Sequence, residues 1–177
     1  MVELVLLCLP TIVYLVVQSR GQDRRSRFRA ALARAGVSWG SPAGYGWALL
    51  VLLLMMLTAC LPLALIPADV QGTSGMSLAR LTSVGTAIGI ALRAIGEEVF
   101  FRGMLGGVLM RRLGFGWGNL LQATIFLVPH VPLLLIDVRL WPLLPAQFAA
   151  GWMMGWLRHK TDTFLPGAVV HVVVNIV

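Results

Sequence analysis

Charged residues are scarce in this sequence, and their scarcity excludes an ordinary water-soluble domain. Asp, Glu, Lys and Arg make up 12% of the 177 residues, whereas 58% are hydrophobic. Soluble domains carry about 25% charged residues, so this chain has too little polar surface to cover a globule in water. Its apolar residues also form long runs, and about 20 such residues suffice to cross a bilayer. The sequence therefore predicts an integral membrane protein.

Cysteine is nearly absent as well. The two cysteines, Cys8 and Cys60, both lie inside apolar runs. They form neither a CxxC metal motif nor a disulfide framework. We expect both to be small buried hydrophobic side chains.

The apolar runs predict an all-α fold, a polytopic transmembrane bundle of about six helices. Glycines, prolines and charged clusters separate the runs. The predicted helices cover approximately residues 2–17, 44–66, 78–110, 117–136 and 142–157, with a sixth that begins near residue 165. The first run lacks the basic start and the small-residue cleavage site of a signal peptide, so we expect it to be retained.

Basic residues collect in alternate loops, and most lie between the first two helices. Six arginines stand there against a single acid, Asp23. The positive-inside rule places such loops in the cytoplasm, where they can also contact anionic lipids. We therefore expect a lipid bilayer as the partner of this patch and no nucleic acid; the oligomeric state stays open. The chain divides into an N-terminal helix with its basic loop (1–42) and a membrane-embedded domain (43–177), whose motifs occupy 91–177. The composition favours a prokaryotic plasma membrane.

Four charges lie inside the third apolar run: Arg93, Glu97, Glu98 and Arg102. Each such residue is unfavourable by about 2.5–3.5 kcal/mol at the bilayer centre. The spacing places Arg93 one turn from Glu97 and Glu98 one turn from Arg102, so each acid can form an ion pair with an arginine on the same helical face. These residues could be two structural ion pairs. Buried ion pairs are poor stabilisers, however, so two adjacent glutamates favour a functional site.

Three further polar residues lie in later helices: His130, His171 and Asn175. His171 and Asn175 are four residues apart and project from one helical face. Each could be a structural hydrogen-bonding residue when it is considered alone. Together with Glu97 they supply a general base and donors for an oxyanion, which is a set suited to the attack of water on a carbonyl.

The three motifs, Glu97-Glu98-x-x-x-Arg102, Phe126-x-x-x-His130 and His171-x-x-x-Asn175, resemble in their order those of the CPBP family, the CAAX prenyl proteases and bacteriocin-processing (Abi) proteins. The resemblance implies an all-helical intramembrane endopeptidase that cleaves a membrane-anchored protein or peptide. It implies that Glu97 activates water with help from His130, and that His171 and Asn175 stabilise the oxyanion. Glu98 and Arg102 would form a supporting ion pair, and we add Arg93 to the supporting residues.

The sequence is compatible with both a metal-free and a zinc-dependent reaction. Glu97, His130 and His171 would make a zinc set with an open fourth position, although no HExxH helix is present. We favour the glutamate mechanism without a metal, because Asn175 suits an oxyanion hole better than a zinc shell. Two other classes also fit: a non-catalytic membrane immunity or scaffold protein, and a fragment of a proton-coupled transporter. The substrate could carry a prenylated C-terminus, a bacteriocin leader or a sorting tail.

Overall fold

The computed structural model describes residues 2–71 and 83–176, and no strand occurs within these ranges. The chain forms α1 (Val2–Gln18), α2 (Arg24–Arg34), α3 (Pro42–Leu65), α4 (Ala68–Gln71), α5 (Val84–Glu97), a π-helix (Glu98–Gly106), α6 (Gly107–Leu127), a 3-10 turn (Val128–His130), α7 (Leu133–Ile136), a 3-10 turn (Val138–Leu140), α8 (Leu143–Thr161) and α9 (Leu165–Ile176). The all-α prediction is confirmed.

Two helical stretches are long and apolar enough to cross a membrane by their length and composition: Pro42–Leu65 and Val84–Ile136. α1 and α9 are shorter apolar helices. The longer stretch is bent at Gly114, where φ is 76° and ψ is 169°. A positive φ suits glycine and ends the preceding helix, so the chain reverses there and runs back through the bundle.

Several predicted boundaries need correction. The basic loop contains α2, which begins at Arg24 and is capped by Asp23, a residue whose side chain accepts a hydrogen bond from the Ser26 backbone N–H. The predicted third helix is α-helical to Glu97 and continues as a π-helix over Glu98–Gly106, and its expected start at Leu78 lies outside the described residues. The predicted fourth helix ends at Leu127 and gives way to shorter turns. The division of the chain at residue 42 stays a prediction.

The bundle core lies between α3, α8 and α9. Its buried side chains include Val51, Met55, Met154, Leu157 and Val170. α1 packs against α5 and the π-helix, while α6 packs against α8. The leucines on the outer face of α3 are exposed, as expected for a helix that faces lipid. Cys60 is also exposed on α3, so its prediction as a buried residue is wrong.

The two ends of the bundle are closed by different polar contacts. At one end, Arg111 of α6 and Arg158 of α8 both donate to the backbone carbonyl of Arg34, at 2.8 and 3.2 Å. We call this contact the α2 clamp. It satisfies a carbonyl at the C-terminus of α2, where the helix dipole also favours cations.

At the opposite end, Arg139 pairs with Asp137 at 2.8 Å and with Asp69 at 2.9 Å. The hydrogen bonds from Arg139 hold the pKa of the Asp137 carboxyl below its usual range. These contacts join the turn after α3 to the turn before α8.

Gly155 allows α8 to approach α6 closely. A Cβ atom at this position would overlap the side-chain oxygens of Asn119 and Gln122, which are both buried. Because neither amide has exposed space to move into, a larger residue must push the helices apart.

We expect Gly155→Ala to lower the free energy of unfolding by about 1–3 kcal/mol, as overpacking does in a tight core. Chemical denaturation in detergent micelles measures the change. Gly46→Ala is the control, since a Cβ atom at Gly46 meets nothing within 4 Å, and alanine in a helix is neutral or stabilising. Equal stability of the two variants would show that α6 and α8 are not in close contact at Gly155.

Candidate active site

The polar residues of the three motifs approach one another inside the bundle. Glu97 is the last residue of α5, and Glu98 and Arg102 lie in the π-helix. His130 ends the 3-10 turn that follows α6, and His171 lies in α9, which packs against α5. Because π-helical turns are rare and often occur at functional sites, the position of Glu98 and Arg102 in such a segment supports a functional role.

Glu98 is the buried centre of the group. Its Oε1 atom lies 2.9 Å from Nη1 of Arg102 and 2.9 Å from Nδ1 of His171. The side chains of Glu98 and Arg102 are 0% and 1% exposed. The ring of Phe126 lies 4.1 Å from the Arg102 guanidinium carbon, so the cation also contacts an aromatic face. The charge of Glu98 is therefore paired inside the protein through Oε1, while its Oε2 atom is buried without a hydrogen-bond partner among the described residues.

The contact with Glu98 fixes the orientation of the His171 ring. A carboxylate only accepts hydrogen bonds, so Nδ1 of His171 carries the proton and donates to Glu98. The other ring nitrogen, Nε2, then faces Glu97, whose Oε2 atom is 3.7 Å away. His171 thus lies between the two glutamates and contacts them through different nitrogens.

Glu97 differs from Glu98 in its access and its partners. Its side chain is 12% exposed, and its Oε1 atom accepts a hydrogen bond of 3.0 Å from Nε of Arg93. Arg93 is 59% exposed and also lies 3.7 Å from Glu3. Glu97 therefore keeps one oxygen directed at His171 while its other oxygen is held by an accessible cation.

His130 lies beside this group on a separate element. Its Nδ1 atom is 3.0 Å from the carbonyl of Phe126, so Nδ1 donates to that carbonyl and Nε2 is left available. The ring of Phe126 lies 5.1 Å from the His130 ring and 6.3 Å from the His171 ring. His130 and His171 therefore both lie beside the ring of Phe126.

Asn175 lies one turn beyond His171 on α9, on the same helical face. Its carboxamide makes no hydrogen bond with another described residue. The structure therefore brings Glu97, Glu98, Arg102 and His171 into direct contact, with Arg93 on Glu97 and His130 nearby. Asn175 is linked to this group only by its position on α9.

The donor atoms of the site meet only some of the requirements of a metal ion. Both imidazoles are tied through Nδ1 to an oxygen acceptor, which is how metal-bound histidines are usually oriented, with Nε2 toward the metal. Within residues 2–71 and 83–176, however, no three His, Cys, Asp or Glu side chains gather closely enough to hold a metal ion. The ring orientations suit a metal, whereas the spacing of the donors does not.

Sequence reasoning missed one buried contact of the site. Thr11, in the apolar helix α1, donates from its hydroxyl to the carbonyl of Val99 at 3.3 Å. Val99 follows Glu98 in the π-helix, where the hydrogen-bonding pattern shifts and carbonyls need other partners. The available signal was one threonine among the apolar residues of α1, and sequence spacing could not connect it to the motifs.

The apolar helices and the glutamate and histidine side chains gathered among them define the class, a helical membrane protein with a buried polar site. The profile of the type II CAAX prenyl endopeptidase Rce1-like family matches residues 79–177, more than half of the chain. The chain belongs to this family, as its three motifs indicated. No curated protein and no solved structure gives a significant match.

The buried contact between Glu98 and Arg102 generates a stability prediction. Glu98→Gln leaves the Arg102 cation buried without a counter-charge, which destabilises proteins by about 3–5 kcal/mol. Chemical denaturation in micelles measures this loss.

Asp69→Asn serves as the matched control, because it also removes a carboxylate 2.9 Å from an arginine, but at a site where the aspartate side chain is 67% exposed. Exposed pairs contribute about 0–1 kcal/mol. If Glu98→Gln were as stable as Asp69→Asn, the buried pair could not be the structural centre of the site.

Proposed function

We propose that this protein is an intramembrane endopeptidase that hydrolyses a peptide bond in a membrane-anchored substrate, with Glu97 as the base that activates water. The observation that carries the proposal is the contrast between two adjacent acids. Glu98 is fully buried by Arg102 and His171, whereas Glu97 retains access and lies 3.7 Å from Nε2 of His171. Only Glu97 is free to receive a proton from water.

In the proposed reaction, Glu97 takes a proton from a water molecule, and the oxygen of that water attacks the scissile carbonyl carbon. His130, whose Nε2 atom is available, helps to hold the water. The carbonyl oxygen becomes an oxyanion, which hydrogen-bond donors stabilise. When the C–N bond breaks, Glu97 returns its proton to the leaving amine.

His171 and Asn175 are the proposed oxyanion donors. Because Nδ1 of His171 already donates to Glu98, Nε2 can donate only when both ring nitrogens carry protons. The carboxamide of Asn175 donates without any change of protonation. The two residues lie on one face of α9, so a single helix would present both donors.

The substrate is proposed to be a protein or peptide held in the membrane, because the motifs lie on apolar helices. The family name refers to prenylated CAAX sequences, and a prenyl chain is one form of membrane anchor. We also propose that the end of the bundle with the α2 clamp faces the cytoplasm, as positive-inside loops do, and that the membrane is a prokaryotic plasma membrane.

Glu97→Gln is expected to lower the cleavage rate at least about 100-fold, since general-base catalysis contributes 10²–10⁴-fold. The assay reconstitutes the protein in vesicles with a farnesylated CAAX peptide and measures the released tripeptide by mass spectrometry. A lipid-anchored peptide without the prenyl group tests whether cleavage requires the prenyl group or only a membrane anchor.

Glu3→Gln is the control for this assay, because Glu3 also lies beside Arg93 but is 65% exposed and contacts neither histidine. It should retain the wild-type rate. Full activity of folded Glu97→Gln would refute the mechanism and support a structural role for the Arg93–Glu97 pair, as in a scaffold protein.

A zinc-dependent reaction is the second candidate, and the Nδ1 contacts of both histidines favour it. Zinc bound by Glu97, His130 and His171 would supply an activated water at its open position. We favour the metal-free reaction, because the described donors do not form a compact set of three.

We expect the cleavage rate to be unchanged after dialysis against EDTA or 1,10-phenanthroline. The measurement is the rate before dialysis, after dialysis, and after addition of zinc. Loss of activity that zinc restores would assign the reaction to the metal.

A further inference from the structure

A polar cavity lies at the clamped end of the bundle, and no residue of the three motifs lines it. Its volume is about 200 Å³, and it is formed by α1, α2 and α6. The residues that line it are Tyr14, Gln18, Arg34, Val108, Arg111 and Arg112. Three of them are arginines and none is acidic, so the cavity carries a concentrated positive charge.

The hydrogen bonds of these arginines leave the charge uncompensated. Arg111 donates to the Arg34 carbonyl at 2.8 Å and to the Tyr14 hydroxyl at 3.2 Å. Arg34 donates to the side-chain oxygen of Gln18 at 3.4 Å. These acceptors are neutral, and Arg112 makes no hydrogen bond with another described residue. Since guanidinium groups match phosphate oxygens in geometry, the cavity is suited to a phosphate.

The surroundings of the cavity indicate how the phosphate would be presented. Val13, Val16 and Val17 of α1 and Leu113 of α6 are 45–53% exposed next to the lining residues. A ligand with a phosphate head and an apolar tail would satisfy both surfaces. Tyr14 lies at the end of an apolar helix, which is where interfacial aromatic residues meet lipid headgroups.

We propose that this cavity binds the phosphate group of an anionic phospholipid, whose acyl chains lie along the exposed apolar face of α1. Anionic lipids are attracted to basic pockets between membrane helices on the cytoplasmic side. The bound lipid would bridge α1, α2 and α6. The assignment does not depend on the proposed peptidase reaction, because none of its residues belongs to the three motifs.

Native mass spectrometry tests the proposal on the full chain purified in detergent. The probe is dioleoylphosphatidylglycerol, with dioleoylphosphatidylcholine as the zwitterionic comparison. One phosphatidylglycerol molecule is expected to remain bound under conditions that remove phosphatidylcholine. Each basic residue near a membrane surface contributes about a fivefold factor in affinity for anionic lipid. Arg112→Gln should therefore weaken this binding about fivefold, and Arg34→Gln with Arg112→Gln should weaken it about 25-fold.

The matched control is Arg25→Gln with Arg29→Gln, which removes the same charge from exposed positions of α2 outside the cavity. It should bind the lipid as the wild type does. Equal weakening in this control would mean that the whole basic surface, and not the cavity, attracts lipid, and would overturn the proposal. Equal retention of phosphatidylcholine would overturn it too.

Inorganic phosphate separates a lipid from a free anion. If phosphate displaces phosphatidylglycerol at concentrations similar to those of the lipid, the acyl chains add nothing and the lipid assignment is wrong. Weak displacement supports it. Should the double variant fail to fold, Arg112→Gln alone decides, because Arg112 is exposed and its side chain holds no described residue in place.

Discussion

The arrangement of the site depends on one constraint, which is that the buried carboxylate of Glu98 must be paired with charged or hydrogen-bonding neighbours. A carboxylate at 0% exposure must be neutralised by its neighbours, and here Arg102 and His171 each approach it to 2.9 Å. Arg102 comes from the same π-helix, but His171 comes from α9, so the contact joins the C-terminal helix to the centre of the bundle. The ring of His171 is thereby fixed, and its second nitrogen is directed at Glu97. The geometry of the accessible acid thus follows from the burial of its neighbour.

Two adjacent glutamates can have different roles because the helix changes type between them. Glu97 closes α5, and Glu98 opens the π-helix. The first points to an exposed arginine and the second to a buried one. Thr11 contributes from α1 by binding the Val99 carbonyl, so the segment is supported on its α1 side as well. A buried acid and an accessible acid can therefore be adjacent in the sequence.

Much of the fold could be predicted because apolar runs and polar interruptions are local signals. The ends of α1, α3, α8 and α9 fall within a few residues of the predicted ends, and the structure brings several of the charged residues inside apolar runs close together. The π-helix could not be predicted, because no local sequence pattern distinguishes Glu98–Gly106 from an α-helix. α2 was missed because its arginine-rich sequence has no apolar face to reveal it. Its helical form depends on contacts from distant residues, which a local pattern does not contain.

The α2 clamp has a consequence for the order in which the chain assembles. The two guanidinium groups that hold the Arg34 carbonyl lie 77 and 124 residues later in the sequence. Thr163, 127 residues after Gly36, secures the following turn by donating to the Gly36 carbonyl at 2.9 Å. α2 can therefore gain both contacts only after α8 has been synthesised. The complete clamp is thus a late contact of the chain, made by residues from three distant parts of the sequence.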